Sequence, residues 1–395
     1  MTSVARSNRY HIAIFGRRNA GKSSLVNCIA GQDVSIVSDV AGTTTDTVLK
    51  NIELPGVGAA VIADTAGFDD AGELGSMRVD AARKVLARAD VAILLLGEYE
   101  GDASPEKEWL AQMRELQLPV IVVAGKCDSE GGAERLAAWQ VALECDVIPF
   151  SVVTGEGREV LLERIAQCYR QDDNLDDITH SLVKPGDVVV LVMPQDASAP
   201  KGRLIQPQVQ TLRNLLDKHC IPLCCATEEL PRLLQSLVAP PQLIITDSQV
   251  FATVEKLMPP ETRLTSFSVL MARHKGDIDA FRSGAQALLA MPPTARVLIA
   301  EACSHIPQNE DIGRVKLPRL LRGKLGKGLQ IDVVGGNDFP DDLTPYDIVI
   351  HCGACMFNRR AVLSRVRRAR VQDVPITNYG IAIAALSGIL DRVVM

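Results

Sequence analysis

Short apolar runs and stretches of helical period alternate along the whole chain, separated by glycine-rich or polar loops. Residues 11–15, 59–63 and 118–124 are rich in Ile, Val, Ala and Leu, with little alternation of polar positions. Runs of that kind predict strands buried on both faces, hence a parallel sheet covered by helices. Helical stretches at 24–30 and 159–169 and a strand at 147–150 complete a first region. It closes on the polar, acidic stretch 171–178, where a domain boundary is expected. The pattern then resumes with strands at 187–193, 223–226 and 243–246 and helices at 209–219 and 230–237. From about 263 it repeats again: an apolar run 264–272, helices at 277–289, 317–325 and 381–390, and strands at 296–301, 329–334, 346–350 and 375–378. The expected fold is α/β: a domain over 1–172, then two smaller α/β domains over 180–262 and 263–395, with mainly parallel sheets.

The first strand runs into Gly16-Arg17-Arg18-Asn19-Ala20-Gly21-Lys22-Ser23, with Ser24 opening the helix. This is the GxxxxGK[ST] phosphate loop. Its glycines let main-chain N–H groups wrap phosphates, and the helix N-terminus adds positive potential. Lys22 can reach the β- and γ-phosphates, and the Ser23 hydroxyl can bind Mg²⁺. Gly16, Asn19, Ala20, Gly21, Lys22, Ser23 and Ser24 are the expected cradle. Further along, Gly42-Thr43-Thr44-Thr45-Asp46 offers a threonine to Mg²⁺ and the γ-phosphate. Asp64-Thr65-Ala66-Gly67 follows the strand at 59–63, placing Asp64 behind the metal and the Gly67 N–H toward the γ-phosphate. Lys22, Thr44, Asp64 and Gly67 are therefore the expected catalytic set. Phe68 stands where Ras-like enzymes place a water-orienting glutamine, so slow intrinsic hydrolysis is expected.

After the strand at 118–124 comes Gly125-Lys126-Cys127-Asp128, in the place of the guanine-reading NKxD motif. Asp128 can accept both guanine donors, and the Lys126 stem can cover the base. Gly125 lacks the asparagine side chain, a loss of about 0.5–1.5 kcal/mol per hydrogen bond. Ser151 to Gly155 fits the loop that backs the base. Taken in order, these pieces resemble the translation-factor-type GTPases, in particular the Era/TrmE-like branch. The resemblance implies that Thr44 is the metal-sensing threonine, that Asn19 binds K⁺, and that K⁺ stimulates hydrolysis.

Two further pieces each follow an expected strand: Cys303-Ser304-His305, and His351-Cys352-Gly353-Ala354-Cys355. Side chains just past the carboxyl ends of parallel strands converge in one crevice. Cys303, Cys352 and Cys355 are thus expected to meet as metal ligands, with His305 and His351 as candidates for a fourth position. Zinc would take a closed tetrahedral set, whereas an iron–sulfur cluster usually takes four thiolates. Three are supplied here, leaving one iron to a histidine or an exchangeable group. Buried free cysteine is often inert packing, and a single CxxC among 10 Cys carries little weight. Two pieces placed after two strands carry more. No catalytic constellation falls between 180 and 265, so Cys220, Cys224 and Cys225 read as core, and that region as a candidate for dimerisation. The turn Gly335-Gly336-Asn337-Asp338 also follows a strand; it reads as a plain turn, with a place along the same crevice as the alternative.

Charged residues at 23% and hydrophobic residues at 47% describe an ordinary globular chain. A net charge of −6 argues against nucleic acid held along a basic face. The exception is the arginine-rich stretch 359–370, a solvated helix face or a docking site. The polar residues 1–9 and the lack of any long apolar run predict a cytoplasmic protein without a membrane span. In that compartment the cysteines read as thiols or metal ligands rather than disulfides.

An Era/TrmE-like GTPase region followed by a CxH…HCxxC region resembles the HydF family of FeFe-hydrogenase maturation GTPases. The resemblance implies a 4Fe-4S cluster on Cys303, Cys352 and Cys355, with GTP/Mg²⁺ and K⁺ at the first domain. It also implies a homodimer formed through the middle domain, acting as a scaffold that delivers a di-iron precursor. The implied partners are the FeFe-hydrogenase catalytic subunit and the radical-SAM maturases. A GTPase of tRNA modification or ribosome assembly, and a GTPase with a structural zinc domain, are the other readings.

Overall fold

A computed structural model describes residues 9–31, 48–65, 67, 73–99, 101–170, 177–195, 204–302, 311–336 and 338–395. The chain divides into two units, Met1–Asp173 and Asn174–Met395.

In the first unit the order is β1 (Tyr10–Phe15), α1 (Lys22–Ala30), β2 (Val48–Leu54), β3 (Gly58–Asp64), α2 (Glu73–Leu86), β4 (Val91–Leu96), α3 (Ser104–Glu115), β5 (Val120–Ala124), α4 (Gly132–Leu143), β6 (Ile148–Pro149) and α5 (Arg158–Arg170). The strands form one sheet, β2-β3-β1-β4-β5-β6. β2 runs antiparallel to β3 and the remaining pairs are parallel. Every residue of β4 is buried, because helices cover both faces of a central parallel strand. β2 lies at the edge with alternate residues exposed, which is why its sequence lacks the unbroken apolar run of its neighbours. β3 and β4 lie on either side of β1, so the strand order changes direction there. Crevices at such a point receive ligands.

The second unit runs β7 (Val188–Val192), α6 (Gln206–Asp217), β8 (Ile221–Cys225), α7 (Leu230–Ser236), β9 (Leu243–Thr246), α8 (Phe251–Leu257), β10 (Arg263–Ser266), α9 (Phe267–Lys275) and α10 (Ile278–Leu289). It continues with β11 (Arg296–Ala300), α11 (Leu317–Leu325), β12 (Gln330–Val334), β13 (Ile348–His351), α12 (Arg359–Val371), β14 (Ile376–Asn378) and α13 (Tyr379–Leu386). These strands form two four-stranded sheets, β10-β9-β7-β8 and β12-β11-β13-β14. All their pairings are parallel. Val190 and Ile244 of one sheet share a core with Leu298 and Ile350 of the other. α13 is buried along all eight residues, as its unbroken apolar composition requires.

Three readings change. The apolar run 264–272 is split, because the Ser266 hydroxyl accepts the Val269 N–H at 3.2 Å and caps a new helix, α9. Cys224 is exposed rather than core, since β8 is an edge strand, while Cys220 is buried. The arginine-rich helix α12 is a solvated face only in part: Arg365 is buried, whereas Arg368 and the exposed Arg370 pair at the surface with Asp341 and Asp277, each at 2.7 Å.

Candidate functional site

In the first unit the loop after β1 is shaped by its neighbours. A Cβ on Gly16 would lie 2.4 Å from the Leu95 carbonyl oxygen, so only glycine lets the strand turn there. Gly21 has φ 99°, a left-handed conformation that costs glycine nothing. Lys22 is 8% exposed, and its Nζ donates to the carbonyls of Gly16 at 3.0 Å and Arg17 at 2.7 Å. The Ser23 hydroxyl donates to Asp64 Oδ2 at 2.6 Å. The residues expected on the two sides of Mg²⁺ therefore touch across α1 and the end of β3.

On the base side, Gly125 donates its N–H to the Leu96 carbonyl at 2.9 Å. A Cβ at Gly125 would meet the Ala20 carbonyl oxygen at 3.5 Å, ordinary contact, so the missing side chain has room. Lys126 lies 3.5 Å from Glu98 at the surface, and Asp128 is exposed. Buried Ser151 accepts the N–H groups of Val153 and Thr154 at 3.2 and 3.1 Å, fixing the turn toward Gly155. Sequence reasoning missed Glu106. It is 1% exposed and grips Arg17 of the loop through Nε at 2.5 Å and Nη2 at 2.8 Å. No motif marks it, because the bond joins two separate segments. Thr44 and Phe68 lie outside the described residues.

In the second unit β11 and β13 are neighbours, with Ala300 opposite His351. The chain at Ala302 and the chain at Cys352 therefore leave the sheet side by side. The Ala302 N–H donates to Cys352 Sγ at 3.0 Å, and the Ala354 N–H to the same sulfur at 3.4 Å. Ala354 has φ 52°, a left-handed position inside the turn that carries Cys352 and Cys355. Burial pushes the Cys355 thiol up, while Lys275 and the N–H groups of Cys355 and Met356 pull it down. Amides donating to a sulfur, with a cation close to the turn, suit a thiolate-bound group, so this donor set fits a cluster. Cys303 and His305 lie outside the described residues.

His351 is differently employed. It is 1% exposed; Nδ1–H donates to the Cys352 carbonyl at 2.8 Å, and Arg365 Nη1 donates to Nε2 at 3.0 Å. Both ring nitrogens are engaged, so in this arrangement neither faces a metal. Burial, then Arg365, lowers its pKa to about 3. Arg365 itself lies between the Phe339 and Phe357 rings and donates to the Gly336 and Glu301 carbonyls. One guanidinium thereby holds residues at the ends of β11, β12 and β13. Asn378 donates to the Cys352 carbonyl at 3.3 Å and accepts from Ser268 at 3.0 Å, tying the turn to α9. Lys275, at the end of α9, donates to the Ala354 and Phe357 carbonyls, and burial lowers its pKa to about 8 against the pull of Cys355 and Cys352.

Comparison with known families divides the chain into three stretches. Residues 178–276 match the Hydrogen maturase F dimerization domain and residues 279–395 the Hydrogen maturase F tetramerization domain. Residues 11–126 match the 50S ribosome-binding GTPase family. The chain belongs to the Hydrogen maturase F family. Its members' GTPase domain and two self-association domains are all present here. Within the GTPase domain, the chain is similar to the tRNA modification GTPases MnmE of Xanthomonas euvesicatoria pv. vesicatoria and Chromobacterium violaceum. It is 38% identical to each, over 39% and 32% of this chain. It spans only 33% and 28% of the length of those relatives. An Aquifex aeolicus Era variant bound to GDP.AlF4- is 21% identical, with a TM-score of 0.33, covering 55% of this chain and 92% of that one. Among the described residues of this Hydrogen maturase F member, no helix is long and apolar enough to cross a membrane.

Proposed function

We propose that the chain is a GTP-hydrolysing scaffold that holds a 4Fe-4S cluster on Cys303, Cys352 and Cys355 and delivers a di-iron precursor to apo FeFe-hydrogenase. The observation that carries this is the Ala302 N–H on Cys352 Sγ. Ala302 is bonded directly to Cys303, so the residue before the first cysteine donates to a sulfur of the second stretch, which supports the reading. When bound, the cluster supplies an iron with an exchangeable position to which a precursor can attach. The chain's own part is to hold the sulfurs. Ala302 and Ala354 donate to Cys352, and Arg365 and His351 fix the strand ends beneath it. Since both nitrogens of His351 are engaged, His305 or an exogenous group takes the fourth position.

In the GTPase domain, Lys22 and the cradle Gly16, Asn19, Ala20, Gly21, Ser23 and Ser24 bind the phosphates. Ser23 and Thr44 hold Mg²⁺ with Asp64 behind it, Gly67 senses the γ-phosphate, and Asn19 binds K⁺. Lys126, Asp128 and Ser151 read guanine. GTP turnover regulates exchange of partners, the radical-SAM maturases and the hydrogenase subunit, and the 178–276 segment joins two copies. The test of the cluster site is anaerobic reconstitution of Cys352→Ala and Cys355→Ala with iron and sulfide. Each is expected to lose most of its iron, and a full complement in both rejects the ligand set.

A further inference from the structure

Lys275 belongs to no motif, yet it is the last residue of α9 and lies under the cysteine turn. It is 4% exposed, and Nζ donates to the Ala354 carbonyl at 3.2 Å and the Phe357 carbonyl at 2.9 Å. Those carbonyls bracket Cys355. Two of the three ammonium donors are thereby used. A buried ammonium is costly unless opposite charge lies near it. Among the described residues no carboxylate forms an ion pair with Lys275, and the ionisable groups acting on it are the Cys355 and Cys352 sulfurs, anionic only as thiolates. Of the nearby arginines, Arg365 donates to His351 and to the Glu301 and Gly336 carbonyls, and Arg359 to the His274 and Gly276 carbonyls. Among the described residues, the charge of Lys275 is matched when these sulfurs are thiolates or carry a group of net negative charge.

We propose that Lys275 is a positioning residue whose buried charge makes the Cys352–Cys355 turn selective for an anionic group. This rests on reading the turn as a ligand site and adds the sign of what binds there. It also gives α9, which lies inside the dimerization segment, a direct hold on the turn in the tetramerization segment.

The test uses the full-length chain without iron and two alkylating probes of nearly equal size, anionic iodoacetate and neutral iodoacetamide. Rates at Cys352 and Cys355 are read by peptide mass spectrometry, with the same cysteines in the urea-unfolded chain as reference. The expected iodoacetate-to-iodoacetamide ratio is several-fold higher in the folded protein than in the unfolded chain. Lys275→Gln, which keeps amide donors and removes the charge, is expected to bring the ratio down to the reference, and Lys275→Arg to retain it. A parent ratio no higher than the reference overturns the proposal without any variant, and so does an unchanged ratio in folded Lys275→Gln. In reconstituted protein Lys275→Gln is further expected to shift the midpoint potential to more negative values. Iron plays no part in the alkylation, so the two readings separate. A preference for iodoacetate alongside full iron in Cys352→Ala would keep the charge role and reject the cluster; the reverse pair of results would keep the cluster and reject Lys275.

Discussion

Lys22 and Lys275 lie in different units and reach the same local arrangement. Each ammonium is almost wholly buried and donates to two main-chain carbonyls of a loop beyond a parallel strand. What differs is the route. Lys22 is 6 residues from Gly16, within one loop, whereas Lys275 is 79 residues from Ala354. A cation held by its own loop leaves a contiguous motif, because spacing and glycines must be right together. A cation brought in by another helix leaves none. The phosphate site is thus specified locally, and the sulfur site by the pairing of β11 with β13 and the reach of α9.

The largest effect expected from breaking that comparison is at Lys22. Lys22→Ala removes a charged donor worth about 1.5–3 kcal/mol, and should weaken GTP binding by roughly 10–100-fold and abolish turnover. Iron content should stay unchanged; normal turnover would reject the phosphate site. On the sulfur side, Arg365→Met should cost about 2–4 kcal/mol, since it leaves His351 Nε2 and two carbonyls without their buried donor. Thermal unfolding of the full chain reads that loss, and an unshifted transition contradicts the linkage of strand ends described above.

His274 sharpens the contrast through pH. Burial first, then Lys275, His180 and Arg359, lowers its pKa to about 4. A depressed histidine adds stability that is complete above its unfolded pKa near 6.5 and is lost as pH falls toward 4. By pH 5 the loss should be about 2 kcal/mol. His274→Gln should flatten that part of the acid-denaturation profile; an identical profile would show that His274 is not the group responsible. The smallest effect is at Gly125, where a side chain fits. Gly125→Asn should tighten GTP binding by about 2–10-fold through one recovered hydrogen bond. Calorimetric titration would measure it, and weaker binding would mean the loop is shaped for glycine.

The parallel sheets and the phosphate loop were legible because unbroken apolar runs and glycine spacing are local signals, as in β4 and at Gly16. The side-by-side exit of residues 302 and 352 was also readable, since strand ends share an edge. Less was visible where a bond crosses the fold. Glu106 on Arg17, Arg365 on His351 and Lys275 on the cysteine turn join segments that no spacing relates. His351 illustrates the cost: beside two cysteines it reads as a ligand, but packing gives both its nitrogens other partners. Cys224 read as core because edge and central strands look alike in sequence.

The proposed sulfur site is tested most directly at the proposed ligand outside the CxxC turn. Cys303→Ala, reconstituted anaerobically beside the parent, should lose its cluster iron and reduced-state EPR signal as fully as Cys352→Ala does. A Cys303→Ala protein that keeps the parent's iron, sulfide and spectrum would contradict a site built from both strands.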